Sequence, residues 1–151
     1  MENLDRSIIE DLVRKIIKEN LSGVTNVNSD RHVDQSGIMS VKLPMLKLEK
    51  FDTGKSQDNV MLRDALSLEE SPRLGCGLME MKETTFDWTL MYDEIQYVIE
   101  GRLEINIDGR KVCADAGEII LVPKGSKIQF CVPNYAKFMY VTYPADWAEQ
   151  K

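Results

Sequence analysis

Between residues 41 and 144 the chain is a succession of short strand-like runs, and no helix-length period interrupts them. The runs read "VKLPMLKLEKF", "NVMLRDAL", "LGCGLMEMK", "IQYVIEG", "RLEINID", "RKVCADA", "EIILVP", "KIQFCV" and "KFMYVTYP". Short β-branched and apolar runs closed by Gly, Pro, Asn or Asp are strands. Strands packed this closely in sequence leave no room for a crossover helix, so they pair antiparallel. The expectation is an all-β domain, a sandwich or a small barrel. Asp108–Gly109, between "RLEINI" and "RKV", predicts a two-residue hairpin. Pro44 lacks a backbone donor, which sends the Val41–Phe51 run to a sheet edge. The tail "ADWAEQK" predicts one last helical turn.

The first residues follow a different period. In "NLDRSIIEDLVRKIIKENLSG", Leu4, Ile8, Leu12 and Ile16 form one row, and Ile9, Val13, Ile17 and Leu21 the next. Ser7 and Glu10 have the spacing of a capping box, and Gly23 stands where a helix stops. Glu10 with Arg14 and Asp11 with Lys15 add i,i+4 pairs on the opposite face. The following "VTNVNSDRHVDQSG" is polar and aperiodic and reads as a linker. The chain thus divides into an amphipathic helix over 1–23, a linker over 24–38 and a β-domain over 39–151. Such a helix either folds back on its own domain or a dimer partner, or docks on another protein.

Charge and cysteine use narrow the setting. A net charge of -6 disfavours nucleic acid and anionic membrane surfaces as partners. Cys76, Cys113 and Cys131 are odd in number and lack a C-x-x-C pair, which suits reduced thiols in the cytosol. No apolar run reaches the roughly 18–20 residues that span a bilayer.

Two spaced motifs carry the functional signal. Glu94 and Gly101 make E-x6-G, and Gly117, Pro123 and Gly125 make G-x5-P-x-G, with one hairpin between them. Together they resemble the paired motifs of the cupin superfamily, a double-stranded β-helix of jelly-roll type. Metal-binding cupins place two histidines shortly before the glutamate and a third after the last glycine. Here those positions hold Trp88 and Leu90 (or Asp87 and Thr89) and Ile128, and the chain's single histidine, His32, lies in the linker. One carboxylate and an indole do not hold a transition metal, so the expectation is a cupin with none.

Three longer strings, "FDWTLMYDEIQYVIEG", "VPKGSKIQF" and "YVTYPADW", resemble the cupin domain of the EutQ family, the ethanolamine-utilisation proteins of bacterial microcompartments. The likeness covers about residues 77–147. It implies a place in ethanolamine catabolism, in the cytoplasm within a microcompartment. It also implies acetate kinase activity, the interconversion of acetate plus ATP with acetyl phosphate plus ADP.

The residues alone do not spell a kinase, for no phosphate-cradling G-x-x-x-x-G-K-[ST] is present. They do outline a pocket. Side chains alternate along a strand, so Glu94, Gln96 and Val98 share the face that lines a cupin cavity. Glu94 and Tyr92 are the candidate catalytic pair, and Trp88, Gln96, Ile128 and Phe130 the candidate lining. Phe130, with Tyr97 and Trp147, also reads as a core or interface aromatic. Lys124 is either a phosphate or nucleotide contact or a solvated turn residue. Glu94 with Asp93 or Asp87 is a candidate for the magnesium that accompanies ATP. The alternative to an enzyme is a non-catalytic cupin that binds a small metabolite or organises cargo. A homodimer through the β-domain is expected, because the Val41–Phe51 edge would otherwise expose unpaired backbone. A compartment shell or cargo protein is the expected partner of the helix.

Overall fold

Asp108 and Gly109 both take positive φ, 47° and 73°, which closes a two-residue turn of the mirror-image kind. The turn sets Ile107 opposite Arg110 and joins two strands in the expected hairpin. The computed structural model describes residues 6–21 and 30–150, and the chain divides into two compact units after Lys42.

In the first unit, α1 spans Arg6–Leu21, and Ile9, Leu12, Val13 and Ile16 on it are exposed. The helix is already under way at Ser7, one residue past its start, and Gly23 lies outside the described residues. Part of the stretch expected as linker is ordered. Strands β1 (Arg31–Val33) and β2 (Met39–Val41) pair as a hairpin. Its turn is built by Asp34, whose carboxylate accepts from both the backbone N–H and the hydroxyl of Ser36, and by Gly37 at φ 85°. Polar composition masked a turn chemistry that supports a hairpin.

The second unit holds one sheet of seven strands. These are β3 (Glu49–Lys50), β4 (Val60–Asp64), β5 (Gly75–Thr89), β6 (Asp93–Ile107), β7 (Arg110–Asp115), β8 (Ile119–Val122) and β9 (Lys127–Tyr143). Their order is β3-β4-β5-β9-β6-β7, with β8 paired to the first half of β6. The Val41–Phe51 run is not one strand. Leu43–Met45, around Pro44, forms a 3-10 turn, and only Glu49–Lys50 pairs at the edge. Trp147–Glu149 makes the expected last turn, also 3-10.

Several short runs prove to be halves of long, bent strands. "IQYVIEG" and "RLEINID" fuse into β6, and "KIQFCV" and "KFMYVTYP" into β9. The corner of β6 is Gly101, at φ 74°, where a Cβ would strike the Tyr135 carbonyl of β9. The register slips on either side of it. Gly101 therefore turns the strand without ending it. Glu83, at φ 45° beside the slip between Lys82 and Thr84, does the same for β5. Bent long strands roll the sheet around a core that includes Val60, Met81, Leu103, Val132 and Phe138. Burial of each such side chain contributes about 1.5–3 kcal/mol.

Candidate active site: a buried glutamate in an aromatic cavity

Period-two alternation along β6 turns Glu94, Gln96 and Val98 inward and Ile95 and Tyr97 outward. Glu94 is 5% exposed and Gln96 fully buried. Gln96 Nε2 donates to Glu94 Oε1 at 2.5 Å, whereas Oε2 takes no donor from the described residues. Glu94 lies at the wall of a cavity otherwise lined by Phe51, Leu62, Met79, Phe86, Trp88, Tyr92, Phe130, Tyr140 and Trp147. The cavity's enclosed space is about 20 Å³, room for about one water, within about 310 Å³ of empty space that includes the open mouth.

The aromatic wall is mutually braced. Phe86 stacks on Phe130 at 5.3 Å, and Phe51 meets Trp88 edge-on at 5.6 Å. Trp88 Nε1 donates to Tyr92 Oη at 2.9 Å, which leaves the phenolic O–H of Tyr92 for another acceptor. Tyr140 Oη donates to Asp64 Oδ1 at 2.7 Å, and Trp147 Nε1 reaches the same oxygen at 3.3 Å.

Glu94 is the cavity's carboxyl, and loss of water pushes its pKa up to about 7, against the opposing hydrogen bond from Gln96. Burial, reinforced by the nearby Glu94 charge, raises the Tyr92 phenol as well. Among the described residues two side-chain polar atoms are buried without partners: Gln96 Oε1, and Oγ1 of Thr142, which stands directly across from Glu94 in β9. Orphaned buried polar atoms are uncommon in folded proteins, and here they cluster at one residue.

Of the residues singled out from sequence, Glu94, Tyr92, Trp88 and Phe130 converge on this cavity. Gln96 supports Glu94 from behind. Ile128 is buried in the core across from Trp88 rather than in the cavity wall. Lys124 sits in an exposed turn, where its backbone N–H donates to Asp93 Oδ1 at 2.9 Å. Trp147 lines the cavity, whereas Tyr97 is 42% exposed on the outer face. Phe51, Phe86, Tyr140 and Asp64 were not singled out. The Tyr140–Asp64 bond spans 76 residues, and no local pattern announces it.

Strand parity also resolves the histidine positions. Trp88, Leu90 and Ile128 are the partly or fully buried set, and Asp87 and Thr89 are exposed. Asp93 and Asp87 are exposed while Glu94 is buried, so the three carboxylates do not converge on a magnesium ion. Among the described residues no group of three or more His, Cys, Asp or Glu could hold a metal. No helix among them is long and apolar enough to cross a membrane.

Comparison with known proteins agrees with this geometry. The model of the family described as ethanolamine utilisation protein EutQ matches residues 4–149. The protein named acetate kinase EutQ of Clostridioides difficile (strain 630) is 61% identical over 99% of this chain and 98% of its own length. The acetate kinase EutQ of Salmonella typhimurium (strain LT2) is 32% identical, and this chain spans 62% of its length. The solved Clostridium difficile EutQ structure superposes with a TM-score of 0.79 at 64% identity, over 83% of this chain and 94% of that one. A cupin domain of Schizosaccharomyces pombe Cnp3, 13% identical with a TM-score of 0.56, shares the fold alone. The rolled sheet, the paired turn motifs and these matches agree: the chain is a cupin-fold member of the EutQ family of ethanolamine utilisation proteins.

Proposed function

We propose that this protein is an acetate kinase, interconverting acetate plus ATP with acetyl phosphate plus ADP, and that acetate binds in the Glu94 cavity. The observation that carries the reading is a single buried carboxyl, with one oxygen that no described residue claims, at the wall of an aromatic-lined cavity. Two relatives named acetate kinase EutQ support it. A methyl group suits the aromatic wall. Two carboxylates in one apolar site cannot both be ionised, so Glu94 and acetate share a proton. Protonated Glu94 then donates to one acetate oxygen, Tyr92 O–H steadies it, and the second oxygen is the nucleophile. That oxygen forms a bond to the terminal phosphorus of ATP as the bond to the bridging oxygen breaks, and ADP leaves with the electron pair. Magnesium bound to the nucleotide would neutralise charge on its phosphates; Glu94, Asp93 and Asp87 do not converge to hold it.

A coupled assay for acetyl phosphate tests the reading. Glu94→Leu removes the donor and should lower kcat/KM for acetate at least tenfold. Glu94→Gln keeps a donor, so turnover should persist and lose its decline above about pH 7. No acetyl phosphate from the unaltered protein would leave the cavity to a bound metabolite and the fold to a non-catalytic role.

Microcompartment residence and partners belong to the same reading. The exposed apolar residues of α1 favour docking of the helix on a compartment shell or cargo protein. Ile95, Tyr97 and Ile99 on β6 and Ile119 and Leu121 on β8 are exposed side by side, with Ile95 opposite Leu121 and Tyr97 opposite Ile119. That contiguous outer face favours a homodimer in which a second copy covers it.

A further inference from the structure

At the rim of the roll, by the β6–β7 turn, lies an open recess of about 1010 Å³, solvent at its mouth included. Three cations line it, Arg110, Lys111 and Lys127, against two carboxylates, Asp87 and Asp108. A local positive excess is unexpected on a chain of net charge -6. Arg110 and Lys111 enter the recess from the start of β7, and Lys127 from the start of β9. Lys111, Asn106, Gln129 and Asp87 stand in one row across β7, β6, β9 and β5. Gln129 Nε2 occupies Asp87 Oδ1 at 2.9 Å, so that carboxylate is partly neutralised within the row.

Two of the three cations are lightly held. Arg110 meets Asp108 at 3.4 Å, with both side chains more than 70% exposed, and such pairs contribute little. Lys127 is exposed at the first position of β9. Lys111 is the anchored one, at 2.6 Å from the buried-side carboxylate of Glu104. Exposed or weakly paired cations on neighbouring strands suit a ligand carrying several negative oxygens, and a guanidinium adds two-pronged donation.

The recess adjoins the Glu94 cavity at one residue. Trp88 belongs to its wall and to the wall of the Glu94 cavity. A third opening shares Asp87, Trp88 and Thr89 with the recess, and Phe51, Trp88, Tyr92 and Trp147 with the cavity.

We propose that this rim recess is a polyphosphate site, holding the phosphate chain of a nucleoside triphosphate on Arg110, Lys111 and Lys127. Its terminal phosphoryl group is directed past Trp88 toward the acid at Glu94. The proposal rests on the kinase reading for its substrate class and names the half of the reaction that the cavity does not explain. Phosphoryl transfer depends mainly on position and charge, so cations on a rim can serve without a Gly-rich cradle.

The test is equilibrium titration of magnesium-bound ATP, separate from turnover, on the full chain and on the double variant Arg110→Glu, Lys127→Glu. Lys111 is left in place to keep its bond to Glu104. The double variant should raise the Kd for the nucleotide at least tenfold, with the acetate KM within twofold. Raised salt should weaken binding to the unaltered protein. Arg73→Glu, an exposed cation outside the recess, should bind as before. If the double variant melts early, Lys127→Ala alone should still raise Kd about threefold. A variant Kd equal to the unaltered one overturns the site while the kinase reading stands. Nucleotide binding through these residues without acetyl phosphate formation overturns the reading while the site stands. No nucleotide binding by the unaltered protein overturns both.

Discussion

Glu94 is the one carboxyl in the wall of a cavity lined mostly by aromatic rings. Its pKa rises from 4.5 to about 7 because burial penalises the charged form. The consequence for stability has a definite sign. Folded Glu94 holds its proton more tightly than the unfolded chain does, so its favourable contribution is complete below about pH 4.5 and is lost as pH rises through about 7. Above that pH the burial costs on the order of 3 kcal/mol. Glu94→Gln carries no charge to bury. Its melting temperature should gain on that of the unaltered protein by several degrees between pH 5 and pH 8, by calorimetry. An equal difference at both pH values would mean that Glu94 does not titrate in this window. In the proposed mechanism the same proton holds acetate, so the acetate KM should rise with pH above about 7, and Glu94→Gln should flatten the profile.

Elements supply that residue with its setting. β6 presents Glu94 on its first half and, after the corner, the β6–β7 turn on its second. Gly101 joins the two halves, so its conformation couples the cavity end of the strand to the rim end. Gly101→Ala meets both the left-handed φ of 74° and the Tyr135 carbonyl. A loss of about 2–4 kcal/mol is expected, because strain and a backbone clash add. Urea denaturation should show the shift, and a loss under 0.5 kcal/mol would mean the corner relaxes freely. By contrast, Gly109→Ala adds a Cβ to open space and strains only φ, so it should cost less than Gly101→Ala.

For the whole molecule, the outer apolar face and α1 are the two surfaces that ask for partners. Light scattering should give twice the 17.3 kDa chain mass, and Ile119→Asp with Leu121→Asp should return the protein to one chain mass. A single chain mass for the unaltered protein across micromolar concentrations would overturn the dimer. Deleting residues 1–23 should leave the melting temperature within about 2 °C while abolishing co-purification with compartment shell proteins. A fall of ten degrees would instead make the helix part of the folded core.

Much of this was written locally in the chain. Alternation along "EIQYV" directs Glu94 and Gln96 inward, Asp108–Gly109 closes its hairpin, and "EDLVRKII" repeats at helical spacing; each depends on residues within one element. The all-β class, the E-x6-G and G-x5-P-x-G turns and the apolar residues at 88, 90 and 128 follow from the same short-range chemistry. Tertiary structure decided the rest. Gly101 reads as a strand end, yet pairing with β9 carries β6 through it, and only a partner strand far along the chain can supply that pairing. The cavity's full wall, with Phe51 beside Trp88 and Tyr140 tied to Asp64, joins residues too far apart for any period to link. The rim recess likewise depends on register, since Lys111 and Asp87 fall at the two ends of one row only when four strands align. Periodicity selects the face a side chain takes; strand pairing selects the neighbours it finds there.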